Sequence, residues 1–199
     1  NTIEFDYSFL YDKRDQSFRP SDGYYSRFNQ ILPLLSNDYS LSNIYDFKTY
    51  HKLTENTVSN FSFHISAINS LDGSDVRVSD RTYLSSRKLR GFEGGKIGPK
   101  DNQDFIGGNY ASSASLSTTL PTLLPELESV DFNIFLDAGN VWGVDYDSSL
   151  DNSKIRSSTG LSIDWLTPIG PLNFVFAQPI TKANTDVEQT FKFDLGTTF

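Results

Sequence analysis

The residues whose types could do chemistry are few, and their spacing argues against bond-making. Gly94, Gly95 and Lys96 set a lysine beside two glycines, as phosphate-cradling loops do. The Walker spacing is missing and no βα unit precedes them, so the segment reads as a mobile loop. His51 and His64 are the only histidines. A metal site needs three or four converging ligands, and both read as structural. Serine, aspartate and histidine are all present, yet no Gly-x-Ser-x-Gly sets up a nucleophile. The absence of cysteine removes thiolate ligands, a cysteine nucleophile and disulfides.

What remains is the chemistry of the backbone. Residues 189–199 alternate Phe191, Phe193, Leu195 and Phe199 with polar residues. A strand of this kind exchanges unsatisfied N–H and C=O groups for a ladder with another exposed edge. Gly196 weakens pairing there, as an aid to opening or as a simple kink. The expectation is a protein that is not an enzyme and that uses neither cofactor nor metal.

The elements that carry these residues read at period two almost throughout. Nine strands are expected, at residues 2–11, 23–34, 39–53, 57–69, 110–120, 130–141, 155–166, 171–179 and 190–199. Turn chemistry separates them at 20–23 (PSDG), 36–38 (SND), 121–125 (PTLLP) and 167–170 (TPIG). Sorting each strand by face places Ile3, Phe5, Tyr7, Phe9 and Tyr11 opposite Glu4, Asp6 and Ser8. Val130, Phe132, Ile134 and Leu136 likewise oppose Asp131, Asn133 and Asp137, and Phe191, Phe193 and Leu195 oppose Lys192 and Asp194. Each charge within the strands, including Arg27, Asp46, Lys48 and Lys52, lies on the polar face.

Two all-β architectures share this alternation. In a soluble sandwich the apolar face is a core, whereas in a membrane barrel it meets lipid. The expected lengths match the roughly 9 to 11 residues of a tilted membrane strand better than the roughly five or six of soluble sheets. A charge-free outer face is what lipid enforces, since Lys or Arg at mid-membrane costs about 2–4 kcal/mol. The fold expected is therefore an antiparallel transmembrane β-barrel. A long segment at 71–108 and a moderate one at 143–154 alternate with short turns, which places the chain end on the periplasmic side.

Composition agrees with this. Over 199 residues the net charge is -8, with 16 Phe and 10 Tyr. The acidic balance excludes a nucleic-acid backbone binder. A mean hydropathy of -0.38 fits strands that are apolar on one face only. No stretch approaches the roughly 20 apolar residues of a membrane helix.

Residues 87–109, RKLRGFEGGKIGPKDNQDFIGGN, give the pattern a family. The tetrad Leu89-Arg90-Gly91-Phe92, then Ile97-Gly98-Pro99, then Gly107-Gly108-Asn109 resembles the BamA family of outer-membrane assembly factors. Phe135 to Trp142 (FLDAGNVW) resembles its Phe-x-Asp-x-Gly-x-Val-Trp strand, with Phe135, Asp137 and Gly139 on the wall. Residues 165–171, Ala177-Gln178-Pro179 and the terminal Phe199 look like its last hairpin, and 18–23 (FRPSDG) resembles a periplasmic turn.

The resemblance implies that residues 1–199 are the C-terminal nine strands, about 8 to 16 of 16, of one barrel domain. The front half and the periplasmic POTRA domains would lie outside it. It implies that loop 71–108 folds into the lumen and locks Arg90 onto Asp137 beside Phe135, with Phe191, Phe193, Leu195, Gly196 and Phe199 on the terminal strand of a lateral gate. Many members carry a second acid where this sequence has Ser117, which puts a two-carboxylate clamp in doubt. The implied work is folding and insertion of nascent β-barrel proteins into a bacterial outer membrane, with accessory lipoproteins as partners through the N-terminal domains. A two-partner secretion translocator exporting polypeptide would share the lock, and a passive diffusion porin would not depend on Arg90.

Overall fold

The computed structural model describes residues 3–35, 39–120 and 129–195. The expected turns at 36–38 and 121–125 lie outside the described residues, as do Gly196 and Phe199 of the terminal strand. Along the described residues run β1 (Ile3–Asp12), β2 (Gly23–Leu35), β3 (Ser40–Thr54), β4 (Thr57–Ser70), β5 (Gly91–Phe92), β6 (Lys100–Asp101) and β7 (Asp104–Phe105). They continue with β8 (Tyr110–Thr119), β9 (Val130–Trp142), β10 (Arg156–Thr167), β11 (Gly170–Thr181), β12 (Glu188–Gln189) and β13 (Phe191–Leu195).

Nine of these form one antiparallel sheet in the order β1-β2-β3-β4-β8-β9-β10-β11-β13. Each strand thus pairs with its neighbour in the chain, as hairpin-connected strands do. The nine match the expected strands closely, and the eight complete ones run from 10 residues in β1 to 15 in β3. The sheet does not close on itself among the described residues, and β1 and β13 are its edges.

The distribution of polarity decides between the two architectures. Leu116, Ile134, Leu136 and Phe193 are each about half exposed, and among the described residues no second sheet packs on their face. Asp137, Arg156 and Ser158, on the opposite face, are 0% exposed. A soluble sandwich requires the reverse. On the apolar face the rings of Phe174 and Phe193, and of Phe176 and Phe191, lie 5.1 Å apart and join the last two strands of the sheet.

The polar face is covered by the long loop between β4 and β8. Its Leu84, Leu89, Phe92 and Ile97 form a buried cluster with Ala111 of β8 and Val141 of β9. The apolar core of the molecule therefore sits inside the curve of the sheet, between loop and wall. Burying such side chains stabilises by about 1.5–3 kcal/mol each, which fixes the loop on the wall.

The β1–β2 connection also turns inward. Its hairpin continues through backbone bonds from Lys13 to Tyr24 and Asp15 to Asp22. Arg19, with φ 50°, then reaches Asp131 at the start of β9 at 2.5 Å.

Candidate functional site

The loop tetrad meets the wall at Asp137. Arg90 donates from Nε to Asp137 Oδ2 at 2.7 Å and from Nη2 to Oδ1 at 2.7 Å, and its backbone N–H donates to Oδ2 at 3.0 Å. Two parallel charge-assisted bonds are the strong geometry for this pair. The guanidinium carbon lies 3.6 Å from the centroid of the Phe135 ring, a stacked cation–π contact. Phe135, Asp137 and Gly139 share the inner face because alternation on β9 puts every second residue there.

Ser115, directly opposite Asp137 in the β8–β9 register, completes the clamp. It accepts from Arg90 Nη2 at 2.8 Å and donates to Asp137 Oδ1 at 2.6 Å. Ser117, where a second acid was in question, turns instead to the Ile134 carbonyl at 3.3 Å. The fork thus closes on one carboxylate and one hydroxyl. Only the β8–β9 register shows that Ser115 is the residue in reach; the alternation alone puts both serines on one face.

Gly91 carries the backbone past the wall at φ +91°, with Ser158 of β10 and Ala177 of β11 at 3.1 and 3.3 Å from where a Cβ would stand. Any larger residue is strained there by conformation and by contact. Ser158 donates its hydroxyl to the Arg90 carbonyl. Gly98, at φ +93°, is equally confined, since a Cβ would come within 2.8 Å of Val141 Cβ.

The residues just before the tetrad reach further strands. Lys88 pairs with Asp46 of β3, which also accepts from His64 Nδ1 of β4 at 2.9 Å. Arg87 lies 3.8 Å from Asp194 of β13. Three cations within four positions therefore touch β13, β3 and β9. Below the loop the sheet curves around a cavity of about 640 Å³ lined by Arg90, Lys48, Asn60, Asp164 and Lys192 among others.

Gly94 to Lys96, expected as a mobile loop, is tied in place. Gly95 donates its N–H to Leu84 O at 2.9 Å, and Lys96 O accepts from Val187 N–H at 3.0 Å. Nothing in the local pattern signals those partners. The same holds for β5, which pairs with β12 immediately before the terminal strand. Of the terminal strand, Phe191, Phe193 and Leu195 lie on β13 and face outward, half exposed.

Outside the sheet, Asp145 joins two loops. It accepts from Val76 N–H at 2.7 Å, from Asn109 Nδ2 at 3.1 Å and from Arg81 Nη2. Burial opposes its charge, but these donors outweigh burial and hold its carboxyl below the ordinary value of 3.8.

A curved antiparallel sheet that is apolar outside, polar inside and filled by an inward-folded loop defines a transmembrane β-barrel protein. Residues 1–199 match the model of the Omp85 superfamily domain, and the chain belongs to that superfamily. It is similar to the outer membrane protein assembly factor BamA of Neorickettsia risticii, 28% identical over 200 residues that cover 97% of this chain and 27% of the relative. A SAM50-like protein of Schizosaccharomyces pombe is 31% identical over 97% of this chain and 44% of its own length. Among solved structures, BamA from Haemophilus ducreyi lacking POTRA domains 1–3 superposes with a TM-score of 0.87 at 28% identity, over 96% of this chain and 41% of that one. The chain thus spans less than half of the relatives it matches.

Proposed function

We propose that this chain is the C-terminal nine strands of the barrel of an outer-membrane assembly factor, which folds β-barrel proteins and inserts them into a bacterial outer membrane. The front strands and POTRA domains of the complete protein supply the rest of the barrel and the docking of accessory lipoproteins. The observation that carries the reading is the fork of Arg90 on Asp137, made from inside the sheet by the family tetrad. This is a holding device and the work is non-enzymatic. The terminal strand, with Phe191, Phe193 and Leu195 outward, is one side of a lateral gate at which a nascent strand adds by backbone pairing. The BamA relative named above is an outer membrane protein assembly factor, which favours insertion over export through the pore.

The test is insertion of a model barrel substrate by the complete protein in liposomes. Arg90→Ala and Asp137→Arg each leave a charge on the inner wall without its partner, a loss of about 3–5 kcal/mol where the site is buried. Insertion by both variants is expected to fall well below the parent. Parent-level insertion by both removes the lock from the mechanism.

A further inference from the structure

Above Phe191 the terminal strand leaves the wall. Its ladder with β11 ends at the pair Phe176 and Phe191, with one further bond from Ala177 N–H to Thr190 O at 2.8 Å. Glu188 and Gln189 then pair with Phe92 and Gly91 of the tetrad. Glu93 N–H to Val187 O at 2.9 Å continues that ladder. The terminal strand is thus held at one end by β11 and at the other by the loop that carries Arg90.

What keeps the β11–β13 connection inside is a second arginine–aspartate fork. Arg156, the first residue of β10, donates from Nε to Asp186 Oδ2 and from Nη2 to Oδ1, both at 2.9 Å. Both side chains are 0% exposed. The Arg156 Nη1 donates to Asn140 Oδ1 at 2.6 Å and to the Lys154 carbonyl at 2.9 Å. Asp186 is fastened to its own turn, accepting from Ala183 N–H at 2.6 Å. One residue later Val187 begins the bonds to the loop. A guanidinium bonded through all three of its nitrogens in a closed site holds one geometry, which a lysine cannot reproduce.

We infer that Arg156 is a positioning residue of the terminal strand: by holding Asp186 inside the barrel it keeps the β11–β13 connection paired with the tetrad loop, so that lock and gate strand are one mechanical unit. Releasing Arg90 from Asp137 then pulls on the terminal strand through β5 and β12, and a nascent strand that displaces β13 pulls on the lock. The consequence for insertion rests on the function proposed above, but the link itself is measurable without it.

Residues 1–199 hold no cysteine, so in a complete protein whose cysteines elsewhere, if any, are replaced by serine, disulfide trapping has no background. Glu93→Cys with Val187→Cys reports the link at two exposed positions. Thr118→Cys with Ile134→Cys, opposite one another on β8 and β9, reports the wall. In the complete protein, Asp186→Asn is expected to lower the 93–187 yield at least about tenfold relative to the 118–134 yield. Arg156→Lys should give a smaller fall. An unchanged 93–187 yield overturns the inference, and so does an equal fall of both yields, which makes the fork a general stabiliser. If the complete parent protein inserts no barrel substrate, the proposed function fails while the trapping result stands by itself.

Discussion

Arg90–Asp137 and Arg156–Asp186 are the same chemical pair in different surroundings. Arg90 borders the cavity with its side chain 16% exposed, while Arg156 and Asp186 have no exposure at all. The first shares its carboxylate with Ser115 and the Arg90 backbone, and lays its cation on an aromatic ring. The second spends its Nη1 on fixed oxygens of a strand end and a loop. Water that reaches one side of a fork can replace part of what is lost when it opens, and none reaches the other. The tetrad fork is therefore suited to release and the β10 fork to permanence, and β5 and β12 connect the two.

The largest effect that separates them is loss of the acid. Asp186→Ala leaves a closed-in guanidinium unpaired, at about 3–5 kcal/mol. Asp137→Ala leaves Arg90 with Ser115, Phe135 and the cavity, and should cost about 1.5–3 kcal/mol. Urea midpoints of the folded protein in detergent rank the two. Equal losses, or a larger one at Asp137, break the comparison. Arg156→Met combined with Asp186→Leu sharpens it by restoring most of the stability, since an apolar pair removes the unpaired charge.

How each fork could be found follows from its physics. Strands were legible because lipid on one side and a polar interior on the other impose a strict period of two, and Ile134 and Leu136 against Asp137 carry that signature openly. Arg90 and Asp137 stood out through the tetrad and the FLDAGNVW strand, where a resemblance supplied a pairing that spacing alone does not. Arg156 was visible only as one more charge on the polar face of β10. Asp186 sits 30 positions away in a loop without periodicity, so nothing local joins them. The β5–β12 ladder is two residues long on each side, too short to leave an alternation, and the bonds that hold Gly95 and Lys96 run to backbone atoms. Ser115 needed the register, which depends on strand pairing rather than on strand identity.

A smaller effect tests whether the tetrad fork depends on that register. Ser115→Ala removes one bond from each member of the fork, and should cost about 0.5–1.5 kcal/mol. Ser117→Ala loses only a bond to the Ile134 carbonyl at 3.3 Å and should leave Arg90 in place. Disulfide trapping of the loop against the wall in the two variants measures this. Loosening by Ser117→Ala and not by Ser115→Ala would assign the clamp to the wrong serine.

The smallest effect lies where loop meets loop rather than loop meets wall. Asp145 ties the segment before the tetrad, through Val76 and Arg81, to the β9–β10 connection. Its folded-state carboxyl titrates below 3.8, so between the two values the unfolded segment binds the proton and the folded one does not. Stability from this clamp is complete above 3.8 and is lost as pH falls through the lowered value. Asp72 is held down to about 2, and Asp147 is also lowered, but their partners are Ser70 and Ser74, and Ser149, each within their own turn. Protonating either frees a turn without parting the loops. Pepsin cleavage within 71–83 is therefore expected to rise as pH drops below 3.8 in the parent, and to be already high and flat with pH in Asp145→Asn. The same pH step in both would place the acid-sensitive contact elsewhere.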